Sequence, residues 1–290
     1  MRPARVVTLA VFLGFLAVTC ACVGRSGSTA ATVDSSGANA VTTTVAPTLT
    51  SSTAQVARPD GSMLNTVEWH PTSGGPFPVV VFLHGANSSP LAYEPFLEKV
   101  ARRGYVVVAP TFASNDLLGR AHDVRLLLDA LTSSVDDPLG LPPSMTDTQR
   151  IALVGHSLGG ADVLHVAFHP CCKDQRITAA VTFEAPVGGI DGPFDWHGPP
   201  LLAVLGDQDP LVPNDVGPLL VRSLETPGFV LTVHGGGHGG GLHADDVGAP
   251  TVQDAFFTFL AAELSADSDA AVRLRDWPDT DTVTIQAVHT

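Results

Sequence analysis

Along residues 78–264, short continuous apolar runs alternate with stretches whose apolar residues recur every three or four positions. PVVVFLHG (78–85) is β-rich and ends in glycine, the pattern of a strand buried on both faces. LAYEPFLEKVARRG (91–104) has helical spacing and stops at Gly104. The alternation continues with a strand in YVVVAP (105–110), a helix in RAHDVRLLLDAL (120–131), a strand in RIALVGHS (150–157) and a helix in LGGADVLHVAFH (158–169). Further strands are expected within 177–186, 200–209 and 229–238, and TVQDAFFTFLAAEL (251–264) has the amphipathic pattern of a last helix. Strands separated by helices require crossover connections, so the chain predicts an α/β fold with a mostly parallel, doubly wound sheet flanked by helices. One domain over 60–265 suffices. The tail, 266–290, holds a candidate strand around Val283 to Val288 that this pattern does not place.

The first 59 residues break the alternation. Arg2 and Arg5 precede an uncharged, mostly apolar run from Val6 to Val23, which reads as an export signal. The end of that run, AVTCACVGRSG, resembles a bacterial lipoprotein signal, with Cys22 following the small residue Ala21; Cys20, after Thr19, fits less well. Residues 1–21 are then the signal peptide and Cys22 the lipidated residue. Simple cleavage and an uncleaved anchor are the other readings. From 22 to 59 the chain is dominated by Ser, Thr, Ala, Gly and Val without periodicity, so a disordered tether is expected. The protein would be exported and touch the membrane through its lipid on the outer side, or be secreted.

Composition narrows the partners. In 290 residues the net charge is −14, and beyond Arg102-Arg103 basic residues hardly cluster, which argues against nucleic acid because phosphate tracking requires basic side chains. After the signal the remaining cysteines are Cys171 and Cys172. They are either two small buried side chains or a vicinal disulfide stiffening a turn, and neither reading makes them catalytic.

In a doubly wound sheet, ligands sit beyond the carboxyl ends of the strands. Reading the residues just after each apolar run gives His84-Gly85-Ala86-Asn87, Ser157, Glu184, Asp209 and His238. GHSLGG (155–160) is a G-x-S-x-G match between an expected strand and an expected helix, the context in which the motif lifts a serine clear of the sheet. A serine hydroxyl needs a base to take its proton, and the base needs a carboxylate to hold its tautomer. LGDQDPLVP offers Asp207 and Asp209, and VHGGGH offers the histidine, in the order serine, acid, histidine.

VVVFLHGANSS, ARRGYVVVAP, RIALVGHSLGGADVL, LGDQDPLVP and the histidine after the last strand resemble, in order, the α/β-hydrolase superfamily. Within it the chain is most similar to the dienelactone hydrolase, chlorophyllase and platelet-activating-factor acetylhydrolase-like group and to cutinase-like polyesterases. The resemblance implies carboxylic-ester hydrolysis through an acyl-enzyme, on a small-molecule or lipid ester, without cofactor or metal. It assigns Ser157 as nucleophile, Asp209 as acid, His238 as base, and the backbone N–H groups of Ala86 and Leu158 as the oxyanion hole. Asp207 and Glu184 are alternative acids, and His243 is the alternative base. His84 and His156 are expected to support loops. The segment 187–200 is too short for a large cap, and its Phe194 and Trp196 could line an open cleft or simply pack.

Three rivals remain at this level. His234, His238, His243 and Asp245 or Asp246 could form a metal site, although the glycines between them deny the rigid presentation that ligands need. The chain could be a non-catalytic surface module on the same scaffold. Haloperoxidase-like, peptidase or acyltransferase chemistry could use the same three side chains.

Overall fold

Alternate residues of the segment 77–83 face opposite ways, and both directions are apolar. Val79, Val81 and Leu83 enter one core, Val80 and Phe82 the other. Such a strand needs cover on both faces, and each side chain removed from water there contributes roughly 1.5–3 kcal/mol. The structure, a computed structural model, describes residues 47–133, 137–141 and 143–290. The signal peptide, Cys22 and the tether as far as residue 46 lie outside the described residues.

The described strands are β1 (Leu49–Ala57), β2 (Met63–Pro71), β3 (Phe77–Leu83), β4 (Val106–Thr111), β5 (Thr146–His156), β6 (Ile177–Phe183), β7 (Leu201–Gly206), β8 (Gly228–Val233) and β9 (Val283–Val288). The helices are α1 (Glu94–Arg102), α2 (Leu117–Thr132), α3 (Leu158–Phe168), α4 (Val216–Ser223), α5 (Ala249–Ser265) and α6 (Ser268–Arg275). The strands form one sheet in the order β1-β2-β4-β3-β5-β6-β7-β8-β9. From β4 to β8 all pairings are parallel, and β1, β2 and β9 join antiparallel. Helices α2, α3 and α4 cover one face through Val124, Leu128, Val163, Leu164 and Leu220. Helices α1, α5 and α6 cover the other through Phe96, Leu97, Phe256, Phe259 and Leu274. This is the α/β-hydrolase arrangement expected from the sequence. Residues 187–200 form no helix or strand, and no large cap is evident.

Two expected boundaries move. The tether does not run to residue 59, because Leu49–Ala57 pairs along its whole length with β2, Leu49 opposite Pro71 and Ala57 opposite Met63. Its Ser/Thr side chains are mostly exposed, so β1 carries no apolar alternation to read, yet its backbone groups are satisfied by the ladder. The tail after 265 belongs to the domain: Leu274 of α6 is buried, and β9 pairs with β8 from Val283 opposite Val233 to Val288 opposite Gly228. Among the described residues no helix is long and apolar enough to cross a membrane.

Candidate active site

The turn from β5 into α3 determines where Ser157 stands. Its backbone has φ 55° and ψ −122°, a conformation that L-residues seldom adopt. It is held by its own N–H, which donates to the Phe183 carbonyl across 2.8 Å. Close approach explains the flanking glycines: a side chain on Gly155 would fall on the Gly159 carbonyl, and one on Gly159 on the Leu83 carbonyl. The tight turn brings the serine above the carboxyl ends of β3, β5 and β6.

Two loops supply its neighbours. After β7, the Asp209 side chain is shielded from solvent although its backbone is not, and its Oδ1 accepts the N–H groups of Leu211 at 2.7 Å and Val212 at 3.1 Å. After β8, the glycine-rich loop presents His238, whose Nδ1 lies 2.7 Å from Asp209 Oδ2 and whose Nε2 lies 2.8 Å from Ser157 Oγ. A carboxylate only accepts, so Nδ1 carries the proton and Nε2 is left to accept the serine hydroxyl. Burial pushes the Asp209 pKa up, but the hydrogen bonds from His238 and the Leu211 N–H outweigh it and hold it below the ordinary carboxylate value.

The alternatives identified in the sequence have other partners. Asp207 accepts from His234 Nδ1 at 3.0 Å and from the Gly235 N–H at 2.7 Å, a second histidine–aspartate pair that leaves Ser157 untouched. The His243 ring stacks on Tyr93 with centroids 6.0 Å apart, and the His243 backbone N–H donates to Asp246 Oδ2 at 2.9 Å. Among the described residues no three His, Cys, Asp or Glu side chains converge as a metal site. Glu184, at the end of β6 with φ 51°, is fully buried beside Asp209 and does not reach His238 as a hydrogen-bond partner.

The loop after β3 offers the donor expected at Ala86. The Gly85 N–H donates to Tyr93 Oη at 3.2 Å and the Asn87 N–H to Asn115 Oδ1 at 3.3 Å, while the Ala86 N–H has no partner among the described residues. Leu158 opens α3, where the first-turn N–H groups lack an intrahelical acceptor. His84 braces this loop: its Nδ1 meets the Gly85 carbonyl at 2.8 Å and its Nε2 accepts the Phe112 N–H at 3.0 Å. Burial lowers its pKa, favouring the neutral ring that can accept.

Sequence reasoning missed Arg120 and Asp162, which stand behind the same loop. Arg120 Nη2 donates to the His84 carbonyl at 2.6 Å and its Nε to Asp162 Oδ2 at 2.7 Å, with both side chains essentially buried. The guanidinium also lies over the Phe112 ring, 4.0 Å from its centroid. The signal in the sequence is weak: Asp162 is the one acidic residue of α3, but α2 also carries Asp123, Arg125 and Asp129, so spacing alone cannot pair it with Arg120. Phe194 and Trp196 stack at 4.8 Å, and Trp196 packs on Phe168, so this pair packs against the core. Cys171 and Cys172 are joined as a vicinal disulfide with Cys171 exposed, so the reading of two buried thiols is corrected. A cavity of about 710 Å³ between α2 and the loop after β1 is lined by Arg58, Phe112, Ser114, Arg120 and His122 and does not include Ser157.

Comparison with known proteins agrees with this architecture. The family model described as chlorophyllase matches residues 30–205, a stretch that contains Ser157 and the Ala86 loop but ends before Asp209 and His238. Chlorophyllase-1 of Arabidopsis thaliana is 32% identical over 125 residues, 42% of this chain and 39% of that protein. A protein of Mycobacterium phage D29 assigned as a non-heme haloperoxidase is 32% identical over 113 residues, 38% of this chain and 36% of that one. The matched stretch thus spans well under half the length of these curated relatives. A solved structure from Klebsiella pneumoniae, assigned as a dienelactone hydrolase, superposes with a TM-score of 0.60 at 13% identity, over 74% of this chain and 99% of that one, a likeness of fold.

Proposed function

The chain belongs to the chlorophyllase family of α/β-hydrolases, and from that premise we propose that it is a serine hydrolase that cleaves carboxylic esters through an acyl-enzyme. One observation carries the reading: the unbroken hydrogen-bonded line from Asp209 through His238 to Ser157 Oγ.

His238 Nε2 takes the proton of Ser157 as Oγ attacks the ester carbonyl carbon. The carbonyl π electrons move onto oxygen, and the Ala86 and Leu158 N–H groups stabilise that oxyanion; losing one such donor typically costs about 10²- to 10³-fold. The carbon–oxygen bond to the alcohol then breaks, and the alcohol leaves with the proton from His238. Water, deprotonated by the same nitrogen, attacks the acyl-serine, and the acid is released as Ser157 regains its proton. Asp209 holds the Nδ1–H tautomer and stabilises the imidazolium formed in both halves.

Hydrolysis of a short p-nitrophenyl ester tests the reading. Ser157→Ala is expected to reduce the rate to background, and a serine-directed phosphonate to label Ser157 in the parent. Activity that survives Ser157→Ala, or that is lost on chelation while the phosphonate leaves it intact, overturns it. A chain-length series of esters, with an emulsified triglyceride and a polyester film, then defines the acyl preference.

For location, the reading is export with lipid on Cys22, followed by a tether leading to β1. Cys22→Ala is expected to move the protein from the detergent phase to the aqueous phase on phase partition; no change in partition overturns the anchor.

A further inference from the structure

Glu184 is a titratable group at the site that the proposed chemistry does not use. It follows β6 directly, its N–H is tied to the Val204 carbonyl of β7 at 2.9 Å, and its side chain has no exposure to solvent. Neither carboxyl oxygen meets a donor in hydrogen-bonding geometry, and no ion pair reaches it among the described residues. The groups that face it are acidic or neutral: Asp209 after β7, Asp246 in the loop before α5, and the Gly206 backbone N–H, with His238 held beyond Asp209. Gly240 of the histidine loop closes over it, so that a Cβ there would crowd Glu184 Cγ at 3.3 Å and Phe183 Cβ at 3.1 Å.

Two carboxyl groups side by side in a buried site can share a hydrogen bond only when one of them keeps its proton. Asp209 is the one with external support, two backbone N–H groups and the His238 ring, so the proton belongs on Glu184. We propose that Glu184 is a positioning residue that stays protonated and donates its carboxyl hydrogen to the Asp209 carboxylate, fixing the rotamer in which Asp209 meets His238. Its protonation state then determines whether the acid of the triad is braced or repelled. Burial pushes its pKa up to about 9, with Asp209 adding to the rise, so the brace holds at neutral pH and is released in alkali.

This inference rests on the esterase reading for its kinetic arm only. Glu184→Gln keeps an N–H donor of similar shape, whereas Glu184→Ala removes it. In p-nitrophenyl ester hydrolysis from about pH 6 to 10, the parent is expected to lose kcat through an alkaline limb near about pH 9, and E184Q to lack that limb while falling less than about threefold at neutral pH. E184A is expected to fall about tenfold in kcat with KM little changed, the loss expected of one charge-assisted hydrogen bond. Infrared difference spectroscopy reads the proton directly: the parent should show a protonated-carboxyl C=O band at neutral pH that E184Q lacks.

A parent without that band, or an E184Q enzyme that keeps the alkaline limb, overturns the proposal while the esterase reading stands. A parent that hydrolyses no ester overturns the esterase reading, and the infrared band still decides the state of Glu184. Should E184A fail to fold, the comparison of parent with E184Q carries both readouts.

Discussion

His156 Nε2 donates to the carbonyl oxygen of His238 across 2.6 Å, so the residue before the serine holds the backbone of the histidine that faces it. At Nδ1 the same ring accepts the Tyr93 hydroxyl at 2.9 Å, and Tyr93 accepts the Gly85 N–H. One chain of hydrogen bonds therefore joins the Ala86 loop to the histidine loop through the turn that carries Ser157. Burial lowers the His156 pKa to about 4, so the ring stays neutral and the direction of the chain is preserved at neutral pH.

Tyr93→Phe removes the middle of that chain and strands the Gly85 N–H and His156 Nδ1. A stability loss of about 1–3 kcal/mol is expected, read by denaturant unfolding. In steady-state kinetics kcat should fall several-fold with KM nearly unchanged, since the two loops lose their common brace and not a contact to substrate.

The two aspartates of LGDQD have different partners, Asp207 pairing with His234 and Asp209 with His238. Asp209→Asn deprives His238 of the carboxylate that fixes its tautomer, and kcat is expected to fall by about 10³- to 10⁴-fold. Asp207→Asn disturbs an exposed pair with His234, and the activity change should stay within about twofold. Equal losses in both would contradict the assignment.

Asp162→Ala leaves the Arg120 guanidinium buried without its counter-charge. Breaking a buried pair by removing one partner costs about 3–5 kcal/mol, which chemical denaturation can measure. Replacing both residues with apolar side chains should recover much of that loss but not the hold on the His84 carbonyl, so stability and kcat are expected to part company in the double variant.

The pH dependence of stability follows from the direction of the Glu184 shift. Its folded-state pKa, about 9, lies above the ordinary 4.5, so the folded protein binds a proton that the unfolded chain has lost. Its contribution is complete below about pH 4.5 and disappears as pH rises through about 9. His156 acts oppositely, its lowered value destabilising the fold as pH drops from 6.5 toward about 4. Melting curves of E184Q and the parent should therefore diverge, with the variant increasingly the more stable as pH rises toward about 9.

Legibility followed burial pattern. The parallel strands could be read because each is apolar on both faces, Val79 to Leu83 and Val106 to Ala109 among them. β1 could not, because an edge strand of exposed Ser and Thr leaves no hydrophobic period, and α4 was too short to stand out from its loop. Ser157, Asp209 and His238 could be singled out from motif and chain order, and the structure brings them within hydrogen-bonding distance. Both Asp207 and Asp209 follow the same strand, so the preference for Asp209 rested on the family resemblance; in the structure Asp209 meets His238 and Asp207 meets His234. The state of Glu184 was beyond reach of the sequence because it depends on which neighbours exclude water.

Among the described residues, three of the five non-glycine positions with positive φ, Asn87, Ser157 and Glu184, follow β3, β5 and β6 around this one site. Each such conformation costs of the order of 1–3 kcal/mol, which the rest of the domain must offset. Ser157→Gly is therefore expected to melt above the parent while being inert. Heat should accordingly silence the enzyme in two stages, with these three turns relaxing first and the sheet following, so that activity is lost below the temperature at which secondary structure disappears. Selection for durability and selection for turnover would then pull these same three positions in opposite directions.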